Sequence, residues 1–210
     1  AGGVLQRFAQ DFLAAHKTAE MASPGHGTVL ARATPVRRQI HRAVEPLQLT
    51  TFTGNALFAS RNWHQSLCGW HAPDKLGALQ LACRQLQAHA FCFRLDRFVC
   101  TGKTPGSIHW ALRSSHDEPL GFGELLTELR RVFGLNGIND DCMHTAHVTL
   151  SYFAEQCISN TQIEPIDWVI DMVELVVARG HGDTYRYETI EAFPLLPMLH
   201  IPPAQFSLLG

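Results

Sequence analysis

From residue 91 to 100 apolar and polar positions alternate. Phe91, Phe93 and Leu95 fall on one side, Arg94 and Asp96 on the other. A period of two is that of a half-buried β-strand. The alternation returns over 107–114, with Ile108, Trp110 and Leu112 facing one way and His109, Ala111 and Arg113 the other. Over 146–153 it predicts Ala146, Val148 and Leu150 on the core and His147, Thr149 and Ser151 away from it. Further strands are expected over 28–33 and 55–68, as one long apolar run over 167–178, and over 185–190. Helical spacing governs the rest. Val4, Leu5, Phe8, Phe12 and Leu13 form one stripe over 4–21. Leu76, Leu79, Cys83 and Leu86 form another over 73–90, and Phe122, Leu125, Leu126, Leu129 and Phe133 a third over 121–133. Pro35 suits the first turn of a helix reaching about residue 44, with Arg37, Arg38 and Arg42 on its polar side, where a basic face is ordinarily just solvated. The stretch 23–27, rich in Pro and Gly, the turn 102–106 and the segment 180–183 break the pattern.

The order helix, strand, helix, strand, strand occurs roughly twice, giving an α+β plan of mainly antiparallel strands with helices outside. The 210 residues are 46% hydrophobic, enough for one globular unit or two joined lobes. The formal net charge of -2 argues against broad duplex binding, which needs many phosphate contacts from Lys and Arg. It leaves room for a small nucleotide or an RNA end. No apolar run spans a membrane, and the charged 4–21 segment does not read as a secretory signal, so a cytoplasmic protein is expected. The six cysteines form no C-x-x-C pair and read as buried free thiols of a reducing compartment.

Chemistry concentrates in two short segments, His64-Gln65-Ser66-Leu67 and His147-Val148-Thr149-Leu150. On a strand, residues i and i+2 share a face, so each segment sets one imidazole beside one hydroxyl. The chain holds 12 histidines, and the H-x-[ST] triplet also occurs at His16 and His26. The first of these lies in a predicted helix and the second in a Pro-Gly turn. Only the segments at 64 and 147 combine a strand with leucine in the fourth position. Two histidines and two hydroxyls around one cleft would make an acid–base pair for cutting a phosphate ester.

With Asn62 and Trp63 before the first motif, and Thr145-Ala146 before and Ser151-Tyr152 after the second, the pair resembles the motifs of the two-histidine (2H) phosphoesterase superfamily. The closest branch is the bacterial 2′-5′ RNA ligases, also described as RNA 2′,3′-cyclic phosphodiesterases. The motif separation (147 − 64 = 83) is similar, and the strands between them, the segment 163–168 and the segment 184–188 follow the family order. The resemblance runs from about Thr28 to Leu195. It implies a bilobal fold, with two mainly antiparallel sheets around a central cleft. The expected units are an N-terminal helical extension (1–24), a two-lobed domain (25–197) and a C-terminal tail (198–210). It further implies His64 and His147 as the catalytic acid–base pair and Ser66 and Thr149 as phosphate-binding hydroxyls. Arg113 and Tyr152 are further candidate substrate contacts read from strand position: Arg113, with His109 on the same polar face, could touch a phosphate, although lone surface residues are more often inert, and Tyr152 falls on the core-facing side with Leu150, where packing is the commoner role. RNA ends or cyclic nucleotides are the expected partners, duplex DNA and membranes are not, no cofactor is implied, and a monomer is expected. Gln65 departs from the pattern by putting an amide where an apolar spacer is usual, and Cys68-Gly69-Trp70 departs just after it.

Other candidates fall back on simpler roles. His144 and His147 are three apart, but no H-E-x-x-H or nearby carboxylate completes a zinc site, so no metal is expected. Trp110 and Phe122 suit core packing better than base stacking, and so does Trp70. Gly102-Lys103-Thr104 lacks the upstream glycines of a phosphate loop. The functions kept as alternatives are a nucleotide-binding module with little catalysis and a metal-dependent hydrolase.

Overall fold

A computed structural model describes residues 25–50, 57–104, 107–181 and 184–199. The expected helix over 4–21 and the tail beyond 199 lie outside them. The described elements run β1 (Gly27–Arg32), α1 (Arg37–Val44), β2 (His64–Ser66), α2 (Leu76–Cys83), β3 (Phe91–Thr101), β4 (Ile108–Arg113), α3 (Leu120–Leu135), β5 (Val148–Ala154), β6 (Thr161–Ile170), β7 (Met172–Arg179) and β8 (Arg186–Pro194). The strands form two four-stranded sheets, ordered β2-β1-β7-β8 and β5-β4-β3-β6. Every pairing within them is antiparallel, as the α+β reading expects.

A continuous core underlies both sheets. It takes Val29, Ala31 and Leu175 from the first, Phe93, Phe98, Trp110 and Leu112 from the second, and Leu79, Leu125, Leu129 and Phe133 from the helices. The predicted stripe of α3 is fully realised, with Val132 added. Gly121 lets this helix approach its sheet, since a Cβ there would sit 2.5 Å from the Cβ of Phe91. At the β3–β4 turn Gly102 has φ +94, the left-handed region that glycine enters without a steric cost. No helix among the described residues is long and apolar enough to cross a membrane.

Four expectations are corrected. The run 167–178 is two strands, not one: it breaks at Asp171, where the chain passes from the end of β6 in one sheet to β7 in the other. Both strands are apolar enough to read as one, and a lone aspartate in mid-run gave little warning. Of the strand expected over 55–68, the described part from residue 57 holds only the three residues of β2, preceded by a 3-10 turn at Ser60–Asn62. The helix expected to reach residue 90 ends at Cys83. Beyond it the backbone takes partners elsewhere, with Ala90 N–H donating to Leu196 O and Leu196 N–H to Ala88 O, both near 2.9 Å. Last, the six cysteines are not uniformly buried free thiols: Cys100 and Cys157 form a disulfide and Cys92 is exposed, while Cys68, Cys83 and Cys142 are buried and free.

Candidate active site

The first motif lies on β2 and the second at the start of β5, with His147 immediately before the strand; β2 and β5 are edge strands of the two sheets. In β2, His64 pairs with Arg32 and Ser66 with Leu30. Cross-strand partners share a face, so His64 and Ser66 look out with Leu30 and Arg32, toward an apolar floor of Leu30, Val176 and Tyr187 that Trp70 and Tyr185 extend. Gln65 points to the opposite side and is fully buried, as its place between two outward residues requires. In the other sheet Ala111 pairs with Thr149, which places His109, Ala111 and Arg113 on the same face as the second motif.

The two histidines are held alike. The Nδ1 of His64 lies 2.6 Å from the carbonyl oxygen of Asn62, and the Nδ1 of His147 lies 2.9 Å from that of Thr145. Each carbonyl belongs to the residue two positions earlier. A carbonyl can only accept, so in both rings Nδ1 carries the proton and Nε2 carries the lone pair. The Nε2 of His64 then accepts from the Ser66 hydroxyl at 3.0 Å. The second hydroxyl is placed differently: Thr149 Oγ1 donates to the Tyr152 hydroxyl at 3.2 Å and lies 3.1 Å from His109 Nε2.

Around the rings the environment is aromatic and cationic. Tyr187 meets His64 edge-on at 4.9 Å, and His109 meets His147 edge-on at 5.6 Å. Burial lowers the pKa of His64 to about 4, with the Asn62 carbonyl opposing and the charges of Arg32 and His144 adding to the fall. Burial, His109 and Arg113 likewise hold His147 well below the usual imidazole value, against the pull of the Thr145 carbonyl. Both rings are therefore neutral at pH 7. The sign for stability follows. As pH falls from 6.5 toward about 4, the unfolded His64 takes up a proton that the folded one refuses, so stability declines through that window. The urea midpoint is expected to be lower at pH 5 than at pH 7, with a smaller difference in His64→Gln; equal midpoints in the wild type would contradict this.

Gln65 ties the two motifs together. Its Nε2 donates to Ser66 O at 2.7 Å and to Thr145 O at 3.1 Å, and its Oε1 accepts from the N–H of His147 at 2.5 Å. Gln65 thus fixes the backbone leading into His147 against the strand carrying His64. A second link joins Phe58 N–H to Leu150 O at 2.8 Å, and Glu118 accepts from Ala146 N–H at 2.7 Å.

Among the residues expected from sequence, His64, Ser66, His147 and Thr149 lie on or next to β2 and β5, and Arg113 lies half-buried on the His147 side. Tyr152 and Ser151 exchange their expected faces. Trp110 pairs with Ser151 and Ala111 with Thr149, so Leu150 is an extra residue in β5. Such a bulge inverts the alternation beyond it. Ser151 becomes fully buried, while Tyr152 stacks on His109 at 4.9 Å and 14°. Trp110 and Phe122 are fully buried core residues as expected, whereas Trp70 lies partly exposed, stacked on Tyr187 at 6.0 Å. His109, beside the His147 ring and the Thr149 hydroxyl, and Tyr187, beside the His64 ring, belong to the site although neither stands in a motif. The outward position of His109 was readable from strand alternation; the approach of Tyr187 to His64 depends on sheet order and was not.

No protein-family model matches the sequence, and no characterised protein sequence matches it. Solved structures do. A phosphoesterase superposes with TM-score 0.64 at 19% identity, covering 83% of this chain and 99% of that one. LigT of E. coli bound to 3′-AMP gives TM-score 0.63 at 17% identity over the same shares. TT0787 of Thermus thermophilus gives 0.57 at 16%, covering 80% of this chain and 97% of that one. This chain therefore shares the fold of these structures, LigT of E. coli among them, with two four-stranded antiparallel sheets and helices packed on them.

Proposed function

We propose that this protein opens 2′,3′-cyclic phosphates at RNA or nucleotide ends to 2′-phosphates, with His147 as the base that activates water and His64 as the acid that protonates the departing 3′-oxygen. The observation that carries this reading is the matched pair of Nδ1–carbonyl bonds at His64 and His147. They set both rings in one tautomer and leave both Nε2 atoms for proton transfer. A cyclic phosphate diester is opened by attack of a deprotonated water on phosphorus, with a proton delivered to the leaving oxygen. Two imidazoles supply both transfers.

The acid must be protonated, yet burial holds free His64 near 4. The substrate's own negative charge offsets this, because an anion within about 4–6 Å favours the imidazolium. His147 faces the cationic Arg113 and the ring of His109, which favour its neutral, basic form. Ser66 and Thr149 would turn from their present partners to donate to the non-bridging oxygens, whose charge grows in the transition state. Arg113 would add a positive charge on the same side, and Tyr152 would hold Thr149. The direction to a 2′-phosphate, and the reverse reaction joining a 5′-hydroxyl in a 2′-5′ bond, come from the family resemblance. The likeness of the fold to LigT, whose structures hold 3′-AMP, ATP and NADP+, supports a nucleotide end as the substrate class.

The test is turnover of 2′,3′-cyclic AMP with excess chelator present, the fold being followed by circular dichroism. The expected result is steady conversion to 2′-AMP, with no metal needed by the folded protein. Binding without turnover would replace this reading with a nucleotide-binding module, and turnover abolished by chelation while the fold stays intact would replace it with a metal-dependent hydrolase.

A further inference from the structure

Away from the paired histidines, two short segments rich in metal-ligating residues meet. One is Cys68-Gly69-Trp70-His71, just after β2; the other is Asp140-Asp141-Cys142-Met143-His144, in the loop between α3 and β5. Ligand atoms of Cys68, His71 and Asp140 all lie within 4.8 Å of one another. The Nε2 of His71 is 3.0 Å from Asp140 Oδ2, and both side chains are about nine-tenths shielded, at 11% and 9% exposure. Cys68 is 2% exposed and Cys142 1%.

We propose that Cys68, His71 and Asp140, completed by Cys142 or a water, bind a zinc ion that staples the segment following the first motif to the segment preceding the second.

Zinc takes thiolate, imidazole and carboxylate ligands in a tetrahedron, with bonds of about 2.0–2.3 Å. That geometry sets ligand atoms roughly 3.3–3.8 Å apart. The three atoms, all within 4.8 Å of one another, therefore need only small movements to reach it, outward for the His71–Asp140 pair, which stands at 3.0 Å.

The surroundings are those of a held ligand set. The Val29 N–H donates to Cys68 Sγ at 3.2 Å, the kind of outer contact that steadies a coordinating sulfur. Gly69 N–H donates to Asp140 Oδ2 at 2.8 Å and Cys142 N–H to Asp140 Oδ1 at 2.7 Å, which fixes the carboxylate. Cys142 sits at φ 46, a left-handed conformation that a side chain enters at a cost of roughly 1 kcal/mol or more. This brings the cysteine back toward the carboxylate two residues before it.

On binding, the Cys68 thiol gives its proton to solvent, and the proton that His71 Nε2 shares with Asp140 leaves through solvent, Nδ1 carrying the ring's one remaining proton, so that Nε2 and the carboxylate oxygen both turn to the metal. The ion has no part in proton transfer at His64 or His147. The sequence offered only His144 and His147 as a metal pair. His71 and Asp140 were not seen together because 69 positions separate them.

The test is an anaerobic titration of the full-length protein with Co2+ as a spectroscopic stand-in for zinc. Intense visible bands of tetrahedral cobalt and a near-ultraviolet thiolate charge-transfer band are expected. They should saturate at one ion per chain and bleach when zinc is added. They should disappear in Cys68→Ser and in His71→Ala and persist in Cys92→Ser, which alters an exposed cysteine on β3. Should Cys68→Ser not fold, His71→Ala, checked by circular dichroism, carries the test. The weak spectrum of octahedral aquo-cobalt, or intense bands that survive His71→Ala, would overturn the proposal. Neither result depends on phosphodiesterase activity.

Discussion

His147→Ala is expected to lower turnover of a 2′,3′-cyclic nucleotide by about 10²–10⁴, and His64→Ala by a similar factor. Each removes the group that the proposed mechanism assigns to one of the two protons. Neither change should unfold the protein. The rings are half-buried, and their one backbone partner, the carbonyl of Asn62 or Thr145, can take a water in the space left behind. The loss should appear in kcat more than in KM, since a proton transfer is realised in the transition state and not on binding. Activity within a few fold of wild type in either variant, with the fold intact by circular dichroism, would remove that histidine from the chemistry.

The second large effect is expected at Gln65. Replacing it by leucine keeps the volume and supplies an apolar spacer, but it strands the N–H of His147 and takes from the Thr145 carbonyl one of its two donors, leaving it His147 Nδ1. An orphaned backbone group costs about 1–3 kcal/mol. The same bonds set where His147 stands relative to His64, and a displacement of about 1 Å at reacting groups costs on the order of 10² in rate. Gln65→Leu should therefore both destabilise the protein and lower kcat, while Gln65→Glu, which still offers an acceptor to His147 N–H, should recover part of the rate. Thermal unfolding and steady-state kinetics on the two variants check this. A leucine variant as stable and active as wild type would show that the amide does not position the second motif.

The contrast between Gln65 and the motif residues shows what the sequence could carry. His64, Ser66, His147 and Thr149 were legible because strand alternation is local: a period of two places i and i+2 together whatever lies across the cleft. The α3 stripe was legible for the same reason at helical spacing. Gln65 appeared only as an oddity, because its partners lie 80 and 82 positions along the chain. The swap of Ser151 and Tyr152 escaped because a bulge is an offset between two strands, and β5 alone gives no sign that Leu150 has no partner. The break at Asp171 escaped because strands buried in two different sheets are equally apolar. The Cys100–Cys157 disulfide, which closes the end of β3 onto the segment after β5, depends on sheet order and not on any spacing between the cysteines.

The claim that His147 and His64 act as base and acid on one phosphate is tested most directly by the pH dependence of kcat for 2′,3′-cyclic AMP in the wild type and in each single variant. The account predicts a bell for the wild type, whose acid limb reports the base that must be neutral and whose alkaline limb reports the acid that must be protonated. His147→Ala should lose the acid limb and His64→Ala the alkaline limb. A wild-type profile without a bell, or both limbs surviving in either variant, would contradict it.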